Sequence, residues 1–200
     1  MPHSSQAEPT ALAGAFRIAC ARDGQGRTHV REQMVSAPFH LSKPYWTGEV
    51  LLVQAVNATA GVFAGDRLDM AVTAEAGARV LLTSPSAHRV HTMTQGYATL
   101  DQKLGVAGGG WLELQPELFI PQAGCRYRQS TELEVASGGE LYFAETLAPG
   151  RVARGECFAF DEVTWSLRLR YAGRLLARER YMLRRDDAST WSLRHPFATG

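Results

Sequence analysis

Two hundred residues, 45 % of them hydrophobic, are enough for one domain with a core of its own, or for one domain with a small extension. A formal net charge of +1 supplies no strong field for a nucleic acid, and the longest apolar runs are a few residues, far short of the ~20 that a membrane-spanning helix needs. Cys20, Cys125 and Cys157 are widely spaced and contain no Cys-x-x-Cys pair, which argues against a structural zinc site or a disulfide framework and for reduced thiols, as in a cytoplasmic protein.

Residues 1–13 are polar and rich in small side chains, without the basic-then-apolar order of a secretory signal, and are expected to form a disordered tail ahead of a single domain over 14–200. From there the chain reads as strands. Glu49 to Val56 is a continuous apolar run, as in a strand buried on both faces. Leu68, Met70 and Val72 alternate with Asp69, Ala71 and Thr73, as in a half-buried strand. Trp111 to Leu114, Leu133 to Val135 and Glu140 to Ala144 are similar, and Phe143 to Leu147 fits either an extended or a helical course. Val163, Trp165, Leu167, Leu169 and Tyr171 alternate with polar residues over nine positions, and Arg174 to Leu183 follows Ala172-Gly173 as a hairpin partner. Lys and Arg rise between Arg168 and Arg194, which reads as a solvated strand face, with an anion site as the alternative.

A strand, a small-residue turn and a second strand recur. Gln102 to Leu114 is similar to Glu132 to Phe143, with a looser copy at Leu68 to Leu82. With Val72, Val106 and Val135 as anchors the spacings are 34 and 29 residues. Repeats of that length fit a stacked, solenoid-like architecture, while ordinary hairpins in a sandwich fit the same pattern.

Signatures of catalysis are weak. The loop Thr59 to Asp66 has Gly61 and Gly65 but no following Lys-Ser/Thr, so it is not a phosphate-binding loop of the Walker type, and a strand pattern rather than a helix follows it. No Gly-x-Ser-x-Gly elbow occurs, and the cysteines lack the flanks of a nucleophile. Glu145, Glu156 and Glu179 offer carboxylates, but spacing does not show a converging pair. His88 and His91 share a face on a helix, where both imidazoles would reach one metal ion, and lie on opposite faces of a strand. Pro116 and Pro121 bracket a short extended piece; Gly150 and Gly155 bracket Arg151 and Arg154.

Taken in order, these stretches resemble the UreD (UreH) family of urease accessory proteins. The resemblance runs through Gly26-Arg27-Thr28, Ala37-Pro38-Phe39, the loop Ala60 to Asp66, Ser84 to His91, Gln115-Pro116-Glu117-Leu118-Phe119-Ile120, the segment Gly150-Arg151-Val152-Ala153-Arg154-Gly155-Glu156, and Leu175 to Arg180. It implies a mostly β fold, a two-layered β-helix-like stack of short strands with few helices. It implies a non-enzymatic maturation chaperone that assists nickel insertion into apo-urease in the cytoplasm, in a complex with accessory proteins F and G, the latter a GTPase. No cofactor is then permanently bound, nickel passes transiently, and neither nucleic acid nor membrane is a partner. Asp66, Glu145 and Glu179 match acidic positions lining a nickel passage, and Arg151, Glu156 and Pro116 stand at motif or partner-contact positions. His88 and His91 stand where the family usually has no imidazoles, which sets a private metal site against the plainer reading of a surface pair that alters a partner contact. The chain stops at Gly200, short of the family's usual C-terminal extension. The competing expectations are a repurposed, non-catalytic β-fold binding module and a β-helical carbohydrate-active enzyme.

Overall fold

A computed structural model describes residues 11–115 and 117–187. Residues 1–10, Pro116 and residues 188–200, and with them the assignment of Pro116 to a motif position and both ends of the expected domain scheme, lie outside the described residues. In chain order the strands are β1 (Ala13–Arg22), β2 (Thr28–Val35), β3 (Phe39–Leu41), β4 (Tyr45–Thr47), β5 (Val50–Asn57), β6 (Arg67–Ala74), β7 (Arg79–Thr83), β8 (His88–Val90), β9 (Ala98–Val106), β10 (Trp111–Leu114), β11 (Leu118–Pro121), β12 (Arg126–Val135), β13 (Glu140–Phe143), β14 (Thr146–Leu147), β15 (Glu162–Tyr171) and β16 (Arg174–Arg184). A single 3₁₀ turn, Val152–Arg154, is the one helical element among the described residues.

The strands stack as a β-solenoid of about four turns. The broad wall is a seven-stranded sheet in the order β16-β15-β12-β9-β6-β1-β2, parallel from β1 through β15 and closed at each end by an antiparallel strand. A second sheet, β13-β10-β7-β5-β3, faces it, and a narrow three-stranded sheet, β14-β11-β8, completes each coil, so the expected two layers acquire a third, shorter side. One coil is a long strand, a tight turn, and two short strands: β6-β7-β8, then β9-β10-β11, then β12-β13-β14.

Register follows from side-chain parity, because a one-residue slip would turn every apolar residue outward. Ile18, Val72, Leu104, Leu133 and Leu169 stand in one inward row across five strands. Leu51, Val80, Leu112 and Leu141 form the matching row on the opposite sheet. Leu51, Val72, Val80, Leu104 and Leu112 are essentially sealed from solvent, and burying a side chain of this kind contributes about 1.5–3 kcal/mol. Val106 and Val135 are register partners, as the repeat predicts, but Ala74 rather than Val72 stands opposite Val106, so the first coil spacing is 32 residues rather than 34. In β5 the run expected to be buried on both faces is buried on one: Leu51, Val53 and Ala55 point inward, while Val50, Leu52 and Gln54 are half-buried. A solenoid wall has a single interior face, and apolar outward positions do not change that. Residues 143–147 are extended, with a break between β13 and β14 at Ala144 and Glu145. Ala13, expected in the tail, already belongs to β1.

The turns after β6, β9 and β12 stack on one another through Gly77, Gly109 and Gly138, all with φ between +71° and +76°, a conformation that glycine adopts without steric cost. Beside them Gly110 has no room for a Cβ, which would lie 2.8 Å from the carbonyl oxygen of Glu75 and 3.0 Å from that of Ala107. Gly110→Ala is expected to destabilise the protein by about 1–2 kcal/mol, since rigid backbone must move to admit the methyl group; urea denaturation measures it, and an unchanged midpoint would contradict this account of the corner.

Candidate functional site

The solenoid interior is not apolar throughout. Following the inward rows, Leu68 and Leu100 are succeeded by Gln129 and Trp165, and Met70 is succeeded by Gln102, Thr131 and Leu167. Gln102, Gln129 and Thr131 are buried, and burying amides and hydroxyls is costly unless each finds a partner. They partner one another. Tyr127 Oη donates to Gln129 Oε1 at 3.1 Å, Gln129 Nε2 donates to Thr131 Oγ1 at 3.2 Å, and Thr131 reaches Gln102 Oε1 at 3.5 Å. Gln129 Nε2 also donates to a carboxylate oxygen of Glu145, which enters from the break between β13 and β14. Gln102, Gln129 and Glu145 line a cavity of about 410 Å³ between the broad wall and the short sheets, with His88, Glu117 and Trp165 on its other sides.

Glu145 is exposed by surface area, yet its carboxylate reaches inward; burial raises its pKa above the ordinary 4.5, and the bond from Gln129 offsets part of the rise. Glu145, Ala144 and Trp165 border both this cavity and a wider groove of about 810 Å³ at the C-terminal end of the solenoid. That groove exists because β15 and β16 extend the broad wall past the last strands of the two short sheets, leaving Leu169, Leu176 and Leu183 facing open space. Glu179 lies on its floor opposite Leu167, with its Oε2 accepting a bond from Tyr181 Oη at 2.9 Å. Of the three acidic positions singled out in the sequence, Glu145 therefore borders both the cavity and the groove, and Glu179 lines the groove.

The third lines neither. Asp66 is 4 % exposed, and its two oxygens accept the backbone amides of Leu12 and Phe63, each at 2.8 Å. It ties the start of β1 to the loop before β6 and is not among the residues lining the cavity. Gly61 in the same loop passes so close to β8 that a Cβ would lie 2.6 Å from the carbonyl oxygen of Arg89 and 2.8 Å from the His91 ring.

The two histidines are separated, as their spacing requires on a strand. His91 lies outside, stacked on Phe63 at 4.3 Å with a ring nitrogen 3.2 Å from the carbonyl oxygen of Ala60. His88 faces inward, 9 % exposed, between Phe119 and Tyr127, with Nδ1 3.3 Å from Glu117 Oε1. Its Nε2 is buried without a partner among the described residues. A carboxylate on one imidazole nitrogen fixes the tautomer that leaves the other as an acceptor. Among the described residues no group of three or more His, Cys, Asp or Glu side chains forms a cage for a metal ion. Cys20 and Cys125 are free, buried thiols whose pKa burial pushes up to about 12, so they stay protonated and unreactive.

Arg151 and Glu156 form a two-pronged ion pair, Nε to Oε2 at 2.8 Å and a second, shorter contact from Nη2 to Oε1. Glu156 Oε2 also accepts the amide of Ala123 at 3.2 Å, so the pair fastens the loop after β14 to the turn before β12. The Arg151 guanidinium, first of all, holds the Glu156 carboxyl below its ordinary pKa. Arg151→Ala is expected to release this loop, seen as faster trypsin cleavage at Arg154 in the native protein; cleavage at the wild-type rate would show that the loop is held by other contacts.

Sequence reasoning passed over Gln102, Gln129 and Thr131, which build the polar interior. The available signal was polar residues at inward positions of otherwise apolar alternating strands, as in Tyr127-x-Gln129-x-Thr131-x-Leu133-x-Val135.

Fold and site together define the class among the described residues: a parallel β-solenoid whose core carries a polar track ending at Glu145, beside an open groove. The chain belongs to the UreD urease accessory protein family, whose model matches residues 13–199. It is 46 % identical over 171 residues to the urease accessory protein UreD of Opitutus terrae, covering 84 % of this chain and 63 % of that protein. It is 32 % identical over 165 residues to the UreD of Acetivibrio thermocellus, covering 82 % and 63 %, and 26 % identical over 149 residues to the urease accessory protein UreH of Helicobacter pylori, covering 74 % and 56 %. The chain thus spans a little under two thirds of the length of these relatives. No helix among the described residues is long and apolar enough to cross a membrane.

Proposed function

We propose that this chain acts in the maturation of urease as a non-catalytic chaperone in the cytoplasm. It binds apo-urease and works with accessory proteins F and G to insert nickel. The observation that carries this reading is the polar track inside an apolar solenoid, Gln102–Thr131–Gln129–Glu145, with Glu179 in the largely apolar groove that Glu145 also borders. A divalent cation in transit needs oxygen ligands that hold weakly and exchange quickly; a cage of thiolates and imidazoles would trap it. Carboxamide oxygens, a hydroxyl and single carboxylates are such ligands, and the unpartnered Nε2 of His88 adds one imidazole at the cavity wall. In this reading Asp66 anchors the first coil, and Glu145 and Glu179 are the acidic groups that meet the ion.

The experiment is co-purification of this chain with apo-urease and accessory proteins F and G, followed by urease activity after nickel is added. A retained complex and nickel-dependent activity are expected. A folded chain that binds none of the three would overturn the reading in favour of a repurposed binding module.

A further inference from the structure

We infer that the outer face of the broad wall carries a binding site for a phosphate-type oxyanion, at a shallow depression over β12, β15 and β16. The depression, about 340 Å³, is floored by hydroxyls and walled by arginines. In the register of the sheet, Ser130, Ser166 and Arg180 stand side by side on three adjacent strands, with Arg128, Thr164 and Met182 in the row on one side and Glu132, Arg168 and Arg178 in the row on the other. Two serines at the centre of a face otherwise built of long side chains leave the hollow.

Its charges do not balance internally. Arg128 is 3.4 Å from Glu162 and stacks over Tyr97 at 4.2 Å, but Glu162 is shared with Arg184 at 3.2 Å. Arg168 is 3.8 Å from Glu132, which is shared in turn with Lys103 at 3.7 Å. Arg178 and Arg180 have no carboxylate partner among the described residues, because the neighbouring Glu179 points to the opposite face, into the groove. Arg168 and Arg178 are direct cross-strand partners. Like charges directly opposite one another destabilise a sheet, so this arrangement costs stability unless an anion lies between them.

A second feature points the same way. Thr164 is 7 % exposed, lines the depression, and its hydroxyl is buried without a hydrogen-bond partner among the described residues. A tetrahedral oxyanion presents mostly acceptors, which matches the guanidinium groups and the hydroxyls of Ser130 and Thr164; the Ser166 hydroxyl is already donated to the carbonyl oxygen of Gln129 at 3.2 Å and shapes the floor without offering a donor. Asp101, beside Ser130 on β9, repels an anion from that edge and places it toward β15 and β16. The same chemistry is supplied by free phosphate and by the phosphoryl groups of a nucleoside diphosphate.

The test is calorimetric titration of the full chain with inorganic phosphate and, separately, with ADP, at constant ionic strength. Saturable binding is expected, weakened at least about tenfold in the R178Q/R180Q double variant, as loss of charge-assisted hydrogen bonds implies. Thr164→Val should weaken it severalfold, and Arg170→Gln, which removes an equal charge from the same face outside the depression, should leave it unchanged. Tighter binding of ADP than of phosphate would identify a nucleotide as the source, and equal binding would identify free phosphate. Arg178→Gln should also raise the melting temperature of the anion-free protein while reducing the rise that phosphate produces in the wild type. Absence of saturable binding by either probe, or equal binding by all variants, would overturn the site.

Discussion

Asp66→Ala is expected to lower the free energy of unfolding by about 3–5 kcal/mol, since bonds from amides to a buried charged acceptor are each worth roughly 1.5–3 kcal/mol and their loss strands the donors. The donors are the amides of Leu12 and Phe63, 2.8 Å from the two carboxylate oxygens, and the site is 4 % exposed, so water does not readily replace the acceptor. Asp66→Asn retains one oxygen and should lose less, because its amide group cannot accept from the second donor. Urea denaturation of the three proteins measures the series. The order wild type, Asn, Ala is the expected result, and an Ala variant as stable as wild type would show that Asp66 does not anchor the first coil. The consequence for function is specific: loss of urease activation in Asp66→Ala would report a loosened solenoid and would not by itself place nickel at Asp66.

That example marks what the sequence could and could not convey. Parity along a strand is local, so the alternation from Val163 to Tyr171 and that of Leu68, Met70 and Val72 reported both the strands and their inward faces. The same parity separates His88 from His91 once His88 is seen to open a strand, His88–Val90, rather than a helix, a choice that the local pattern left open. The coil repeat was visible through Val106 and Val135, which are true register partners, but the first coil was offset by two residues because several small apolar residues near Val72 serve equally well as an anchor. Coil alignment is also what turns Gln102, Gln129 and Thr131 from scattered polar residues into one connected track. Glu145 lies in the break between two short strands, where parity says nothing about direction. Asp66 closes on Leu12 across 54 residues, and the Arg151–Glu156 pair is made by a loop folding back on itself. Contacts of this kind depend on the finished stack and leave no periodic trace in the chain.

Glu145→Gln is expected to separate stability from function. Burial raises the Glu145 pKa above 4.5, so folding favours its protonated form. For an acid shifted in this direction, the favourable contribution is fully present below the unfolded-state value and is lost as pH rises through the folded-state value. Glutamine keeps an oxygen for the bond from Gln129 and carries no charge at any pH, so the variant should be more stable than wild type at neutral pH, with the difference vanishing below about pH 4.5. If Glu145 is the carboxylate that nickel meets where the cavity joins the open groove, the same variant should activate urease roughly tenfold less, the lower end of what loss of one group at a metal site costs. Paired urea titrations across pH and nickel-dependent activation assays read both effects. Greater stability with undiminished activation would remove Glu145 from the nickel course while leaving the burial argument intact. Reduced activation in a protein that gains stability would show that the carboxylate is kept at a cost to folding for the sake of the ion, because a damaged fold could not then explain the loss.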